Sequence, residues 1–124
     1  MIAVTPLEMA ALREGGKRLA RHLDTLSKLA APGVTANELE EKAREMVAAD
    51  GDKPAFLNYK YAHDKHPMPS ALSVSINNTI VHNPAGQSGD TIRDGDIVSL
   101  DFGIIHDGFY TDHAVTVIAG TKRD

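Results

Sequence analysis

Residues 97–119 read IVSLDFGIIHDGFYTDHAVTVIA, two apolar-rich stretches joined by the dipeptide Asp107-Gly108. Asp-Gly between such stretches is typical of a two-residue hairpin turn of type I′, because both central residues of that turn need a positive φ angle. The sequence therefore predicts two antiparallel strands over residues 97–105 and 109–119. A turn of two residues also predicts which residues of the two strands face each other.

Counting back from this turn places Gly103 opposite Asp112. Because side chains alternate between the two faces of a strand, Asp101 shares a face with Gly103 and therefore with Asp112. The two carboxylates are then diagonal neighbours with Cα atoms about 7–8 Å apart. Their side chains can lean together, which suits a pair of metal ions about 3.5–4 Å apart. A turn of three residues would shift the pairing, and the two aspartates would then no longer be predicted to share a face.

The opposite face of the same hairpin is apolar and is predicted to pack against helices. It comprises Val98, Leu100, Phe102, Ile104, Val115 and Val117. The face with the carboxylates also carries Ser99, Gly103 and Thr116, and Gly103 leaves space for a metal ion to approach. Most carboxylates on antiparallel strands face solvent without a ligand, so spacing alone leaves that alternative open. Two like charges on one face repel and need a cation, a proton or full solvation.

Two capping boxes predict two amphipathic helices in the first half of the chain. Thr5 with Glu8 marks the first start, and Thr35 with Glu38 marks the second. The first helix is predicted to end near residues 32–33 and the second near Gly51. The apolar stripes that should face the sheet are Leu12, Leu19, Leu23 and Leu26 in the first helix, and Leu39, Ala43, Met46 and Val47 in the second.

The remaining stretches are predicted as loops and one short hairpin. Residues 52–70 lack a clear period and are interpreted as a loop that could line a pocket. Residues 73–76 and 79–82 form a predicted hairpin around Asn77-Asn78. Residues 83–96, rich in Gly, Pro, Asn and Asp, are a surface connection. The fold class is therefore α+β, with two helices packed on an antiparallel sheet.

Length and composition indicate one ordinary domain. A chain of 124 residues matches the usual size of a single domain, here 1–124. No apolar run approaches the roughly 20 residues needed to cross a bilayer, so we expect no membrane association. The amino terminus lacks the pattern of a secretory signal, and we expect a cytoplasmic location. A net charge of −4 argues against nucleic acid, and the absence of cysteine leaves oxygen and nitrogen as metal donors.

Three motifs in order resemble one known family. They are NNTIVH at residues 77–82, DGDIVSLDF at residues 94–102 and DGFYTD at residues 107–112. Together they resemble the amino-terminal half of type I methionine aminopeptidases, which are pita-bread metallopeptidases. The resemblance runs from the first predicted helix to the last predicted strand and implies half of a pita-bread fold.

The resemblance also implies roles for particular residues. Asp101 matches a metal ligand, and Asp112 matches the aspartate that bridges two metals. His82 matches a histidine that contacts the substrate and stabilises the reacting amide, although a histidine taken by itself is more often structural. Phe56 and Tyr59, with Tyr61 as a further candidate, match the pocket for the methionine side chain, where simple aromatic packing is the alternative.

Two departures from the family pattern fall in this region. Residues 59–69 are longer and richer in His and Lys than the family pattern. The chain also has His82-Asn83 where the family commonly has His-Gly.

The activity implied is removal of the amino-terminal Met from peptides or nascent chains by a water that two divalent metal ions activate. Cobalt, manganese, iron(II) and zinc all suit such donors. The family's other ligands, one histidine and two glutamates, belong to a second half, and the histidines outside the motifs do not match them: His22, His63, His66, His106 and His113. We therefore expect weak or single-ion binding and little activity alone, with a carboxy-terminal half or a second copy in a homodimer as partner. The alternative is a non-catalytic half pita-bread module that binds a peptide or protein.

Overall fold

The computed structural model of the protein describes residues 5–55, 71–77, 79–81 and 91–120. Within this part the chain forms two helices and five strands. The helices are α1 (Pro6–Leu29) and α2 (Ala36–Ala49), and the strands are β1 (Lys53–Pro54), β2 (Leu72–Ile76), β3 (Thr79–Val81), β4 (Ile97–His106) and β5 (Phe109–Ile118). The predicted α+β class, two helices packed on an antiparallel sheet, is confirmed.

Both predicted capping boxes are present. Thr5 Oγ1 accepts a hydrogen bond from the main-chain N–H of Glu8 at 3.1 Å, and the Glu8 carboxylate accepts one from the N–H of Thr5 at 3.2 Å. The second box has the same pair of bonds. Helix α1 ends at Leu29, earlier than predicted, because Pro32 disfavours the helical conformation in the residue before it. Neither described helix is long and apolar enough to cross a membrane.

Strand β4 is the centre of the sheet. It pairs along its whole length with β5 on one edge. Strands β1 and β2 share the other edge: β1 pairs with Ile104 and Ile105, and β2 pairs with residues 98–102. Strand β3 pairs with the far side of β2. All these pairs are antiparallel.

The assignment of residues 52–70 to a loop was wrong at its start, because Lys53–Pro54 forms β1. This strand has two residues, too few to show the alternation that predicts strands from sequence. Its conformation depends on pairing with Ile105 and Ile104 of β4, which lie 52 and 50 positions away in the chain.

The predicted register of the β4–β5 hairpin is confirmed. His106 pairs with Phe109, and Gly103 pairs with Asp112. The two turn residues, Asp107 and Gly108, have φ angles of 50° and 83°, as a type I′ turn requires. The local sequence of the turn thus determined the faces of both strands.

The helices cover the apolar face of the sheet, as predicted. Four alternate residues of β4 are 0% exposed: Val98, Leu100, Phe102 and Ile104. Val115 and Val117 of β5 are partly buried against the same core. Leucines of α1 and residues of α2 complete it, namely Leu19, Leu23, Leu26, Leu39, Ala43 and Val47.

A polar cluster fixes α1 and the end of α2 to the hairpin end of the sheet. The carboxylate of Asp52 lies 2.7 Å from His106 Nδ1, and Arg18 donates to it at 3.2 Å. Arg18 also donates to the carbonyl oxygen of Asp50 at 3.1 Å. The start of β1 is therefore held against both a helix and the last residue of β4.

Candidate metal centre

Asp101 and Asp112 lie on the face of the sheet that the helices leave uncovered. Asp101 pairs with Ala114, and Asp112 pairs with Gly103, so the two aspartates are diagonal neighbours on adjacent strands. Both residues are exposed. Their carboxyl groups are close enough to share a hydrogen bond, and the predicted convergence of the two side chains is confirmed.

The environment of Asp101 raises the pKa of its carboxyl group to about 6. Desolvation by neighbouring groups contributes most, although the residue is exposed, and the hydrogen bond to Asp112 and the charge of Asp112 follow. His113 acts in the opposite direction. Both effects of Asp112 arise because two carboxylates this close cannot easily carry full charges together, so the pair retains a proton into the weakly acidic range.

Small side chains surround the carboxyl pair. Ser73 pairs with Asp101 from the β2 side, and Ala114 faces it from β5. One step further along the hairpin, the hydroxyl groups of Ser99 and Thr116 lie 2.9 Å apart. This part of the sheet therefore forms a low floor around the carboxyl groups, which leaves room above them for a ligand.

Large apolar residues stand at both ends of this floor. Tyr110, two residues before Asp112 on the same face, is 64% exposed. At the other end Ile97 and Ile118 pair with each other and are 49% and 42% exposed. The carboxyl pair therefore lies between exposed apolar side chains.

The carboxyl pair suits a divalent cation as part of a metal site. Its oxygen donors are those that manganese, iron(II), cobalt and zinc accept, and a cation would neutralise the repulsion between the two carboxylates. In residues 5–55, 71–77, 79–81 and 91–120, no three Asp, Glu or His side chains are grouped so that they could hold a metal ion. The pair therefore accounts for part of a coordination sphere.

The other predicted site residues lie outside the described part of the chain. This applies to His82, Phe56 and Tyr59, and to the further candidate Tyr61. The positions of their described neighbours are known: Val81 pairs with Val74 of β2, and the N–H of Ala55 donates to the carbonyl oxygen of Gly103 at 2.9 Å.

Glu40, a buried carboxylate at the start of β2, was not predicted from the sequence. Its position was detectable, because Ala36, Leu39, Glu40, Ala43 and Val47 are the buried residues of α2. They have the spacing of one helix face. A charged residue within such a stripe indicates a buried polar contact.

Helices on one face of an antiparallel sheet, with paired carboxylates on the other, define half of a pita-bread metallopeptidase fold. The chain belongs to metallopeptidase family M24, whose sequence model matches residues 10–124. It is 40% identical over 113 residues to a methionine aminopeptidase of Aquifex aeolicus, covering 91% of this chain and 43% of that protein. The predicted family resemblance is confirmed.

Solved structures agree with the sequence comparison. A methionine aminopeptidase from Thermotoga maritima matches with a TM-score of 0.79 and 32% identity, over 100% of this chain and 47% of that one. One from Rickettsia prowazekii matches with a TM-score of 0.82 and 29% identity, over 98% and 46%. The chain thus spans less than half the length of these relatives.

Proposed function

We propose that this chain supplies the Asp101–Asp112 part of a two-metal aminopeptidase site that removes amino-terminal methionine from peptides. The observation that carries the proposal is the meeting of these two carboxyl groups on the uncovered face of the sheet. Membership of family M24 supports a metallopeptidase, and relatives that are methionine aminopeptidases support the substrate class. Action on nascent chains would place the protein in the cytoplasm.

The two aspartates have complementary roles in this proposal. Asp101 would hold one metal ion, and Asp112 would bridge two. Bound divalent ions supply Lewis-acid activation of water and a contact for the free amine of the peptide. Gly103, opposite Asp112, adds no side chain above the pair. We leave the metal open among cobalt, manganese, iron(II) and zinc.

The remaining assignments complete the substrate site. We propose that His82 contacts the reacting amide and that Phe56 and Tyr59 receive the methionine side chain. Support comes from the described neighbours. Val81, which precedes His82, pairs with β2, the strand that borders β4. Ala55, which precedes Phe56, is bonded to Gly103. Both preceding residues thus lie close to the carboxyl pair.

We propose that a partner segment completes the site, because two carboxylates are too few donors for two catalytic metals. That segment is a carboxy-terminal half, or a second copy of the chain in a homodimer. Two features support a partner. Tyr110, Ile97 and Ile118 expose apolar surface beside the carboxyl pair. Among the described strands, β5 pairs with β4 alone, which leaves one edge for further pairing.

Calorimetric titration with manganese tests the metal site directly. We expect weak binding by the unaltered chain at pH 7.5 and none by Asp101→Asn. The matched control is Asp107→Asn, which removes an exposed carboxylate from the adjoining turn and introduces a residue that type I′ turns favour. Equal binding by Asp101→Asn and the unaltered chain would refute the metal site.

A cleavage assay with a methionyl tripeptide tests the activity. We expect little or no hydrolysis by the chain alone and measurable hydrolysis when a carboxy-terminal half is supplied with metal. The control mixture contains the Asp112→Asn chain and the same second half. Efficient cleavage by the isolated chain would contradict the need for a partner.

The alternative is a non-catalytic module that binds a peptide or protein. The observation in its favour is the small donor set within the described residues. Peptide binding followed by fluorescence polarisation discriminates between the two functions. Binding that persists in excess chelator and in Asp101→Asn would support the module, whereas metal-dependent binding of free amino termini would support the peptidase.

A further inference from the structure

Glu40 of α2 is a buried carboxylate, 3% exposed, that contacts the main chain of a strand. One oxygen accepts a hydrogen bond from the N–H of Ala71 at 2.8 Å, and the other accepts one from the N–H of Leu72 at 2.9 Å. Arg44, one helical turn later, donates to the same carboxylate at 2.5 Å. Both oxygens of the carboxylate therefore accept hydrogen bonds.

These two N–H groups belong to the point where the chain enters β2. Leu72 pairs with Phe102, and Ser73 pairs with Asp101. The carboxylate of Glu40 thus holds the beginning of the strand that borders the first candidate metal ligand. An uncharged or shorter side chain at position 40 would leave at least one buried N–H without its acceptor, which is costly.

The main chain of Asp101 is directed toward this same strand. The carbonyl oxygens of Gly103 and Ile97 accept hydrogen bonds from Ala55 and Asn77, on the edge that β1 and β2 occupy. Main-chain groups alternate between the two edges of a strand in steps of two residues. Asp101 lies between Ile97 and Gly103, an even number of positions from each. Its main-chain N–H and C=O groups therefore also face β2.

Strands β1 and β2 form one interrupted line along β4. Ala55, which follows β1, is bonded to Gly103, and Leu72, the first residue of β2, pairs with Phe102. The end of the β1 segment and the start of β2 therefore contact neighbouring residues of β4, Gly103 and Phe102, beside Asp101. The polar cluster of Asp52 holds β1 in place, and Glu40 holds the start of β2.

We propose that Glu40 is a positioning residue for the metal centre: by holding Ala71 and Leu72, it keeps β2 hydrogen-bonded to Asp101 and fixes that carboxylate relative to Asp112. This inference rests on the proposed function. Groups that orient metal ligands affect affinity strongly, because coordination needs accurate placement of each donor.

The test compares Glu40→Gln with two controls. Glutamine keeps the size of the side chain but replaces one acceptor oxygen with an N–H₂ group that cannot accept a hydrogen bond. Glu41→Gln makes the same exchange at the exposed neighbouring position. Val47→Ala, in the core portion of the same helix, lowers stability without removing the hydrogen bonds of Ala71 and Leu72 to Glu40.

Amide hydrogen exchange by NMR gives the first measurement, without metal. In Glu40→Gln we expect the protection of the Ala71 and Leu72 amides to fall about tenfold, as for loss of one charge-assisted hydrogen bond. The Asp101 amide should lose protection as well, beyond any change in Val47→Ala. Unchanged protection of Asp101 would overturn the proposal, even if Ala71 and Leu72 exchange faster.

Manganese affinity gives the second measurement. We expect about a tenfold weaker affinity in Glu40→Gln and unchanged affinity in Glu41→Gln and in the folded fraction of Val47→Ala. Unchanged affinity in Glu40→Gln would also overturn the proposal. If the unaltered chain binds no manganese, the proposed metal function fails, whereas the exchange of the Asp101 amide still decides the role of Glu40.

Discussion

On one face of the β4–β5 hairpin, Val98, Leu100 and Phe102 are fully buried beneath the helices, whereas on the other face Asp101 and Asp112 lie at the surface with their carboxyl groups close together. Adjacent residues in sequence thus belong to different environments. The buried face contributes to stability through apolar contacts, and the exposed face brings together groups that repel each other. Substitutions one position apart are therefore expected to have different effects.

The faces also differ in how acid affects them. His22, packed edge-on against Phe102 beneath the buried face, has a lowered pKa because burial disfavours its charged form. On the exposed face, the pKa of Asp101 is raised to about 6. Acid therefore destabilises the folded state through His22 and favours it through Asp101.

The largest expected effect is on the buried face, at Phe102, which is 0% exposed. Phe102→Ala should lower the free energy of unfolding by about 3–5 kcal/mol, because it removes buried contacts and leaves a cavity. Urea denaturation measures this loss. Asp101→Asn, the neighbouring change on the other face, should lose no comparable stability. Similar losses in both variants would remove the contrast between the faces.

The next effect is a pH dependence from His22. Its folded pKa lies below the value of 6.5 for the free side chain, so near and below pH 6.5 the unfolded chain binds protons that the folded chain does not. His22 should therefore contribute a loss of stability as the pH decreases from 7 toward 5, by at most about 1.4 kcal/mol per pH unit for one proton, and Asp101 contributes in the opposite direction. In denaturation experiments across this range, acid should lower the stability of His22→Leu less than that of the unaltered chain. An identical slope in that variant would assign the effect to another group.

A smaller, local effect is expected at the carboxyl pair. Asp112→Asn removes a neighbouring negative charge, so the pKa of Asp101 should move from about 6 toward its ordinary value of 3.8. Carboxyl ¹³C shifts followed by NMR between pH 3 and 8 measure this change. Asp107→Asn provides the control and should leave the titration of Asp101 near 6. A pKa of Asp101 that stays near 6 in Asp112→Asn would mean that desolvation alone sets it.

The smallest effect on stability is expected at Ile97, one of the exposed apolar residues beside the carboxyl pair. Ile97→Ser should change the free energy of unfolding by about 0.5 kcal/mol or less, because its side chain is 49% exposed. The same variant should weaken association with a carboxy-terminal half, measured by analytical ultracentrifugation. A large loss of stability without change in association would place Ile97 in the core of the isolated chain.

Much of the fold could be predicted from sequence, because its signals act over a few residues. The capping boxes of Thr5 and Thr35 involve partners three positions away. The Asp107-Gly108 turn determined the register of β4 and β5, and with it the shared face of Asp101 and Asp112. The metal-binding roles of those aspartates stay predictions that come from the family resemblance. The same holds for the substrate-binding roles of His82, Phe56 and Tyr59.

Only the tertiary structure decided the features that join distant parts of the chain. Strand β1 exists through its pairing with residues 104–105, and Glu40 reaches N–H groups 31 and 32 positions away. The raised pKa of Asp101 likewise depends on side-chain proximity and local desolvation. The sequence by itself determined the turns, the helix starts and the side-chain parity, because these depend on neighbouring residues. Packing determined which polar groups met, because periodicity specifies a face but not its partner.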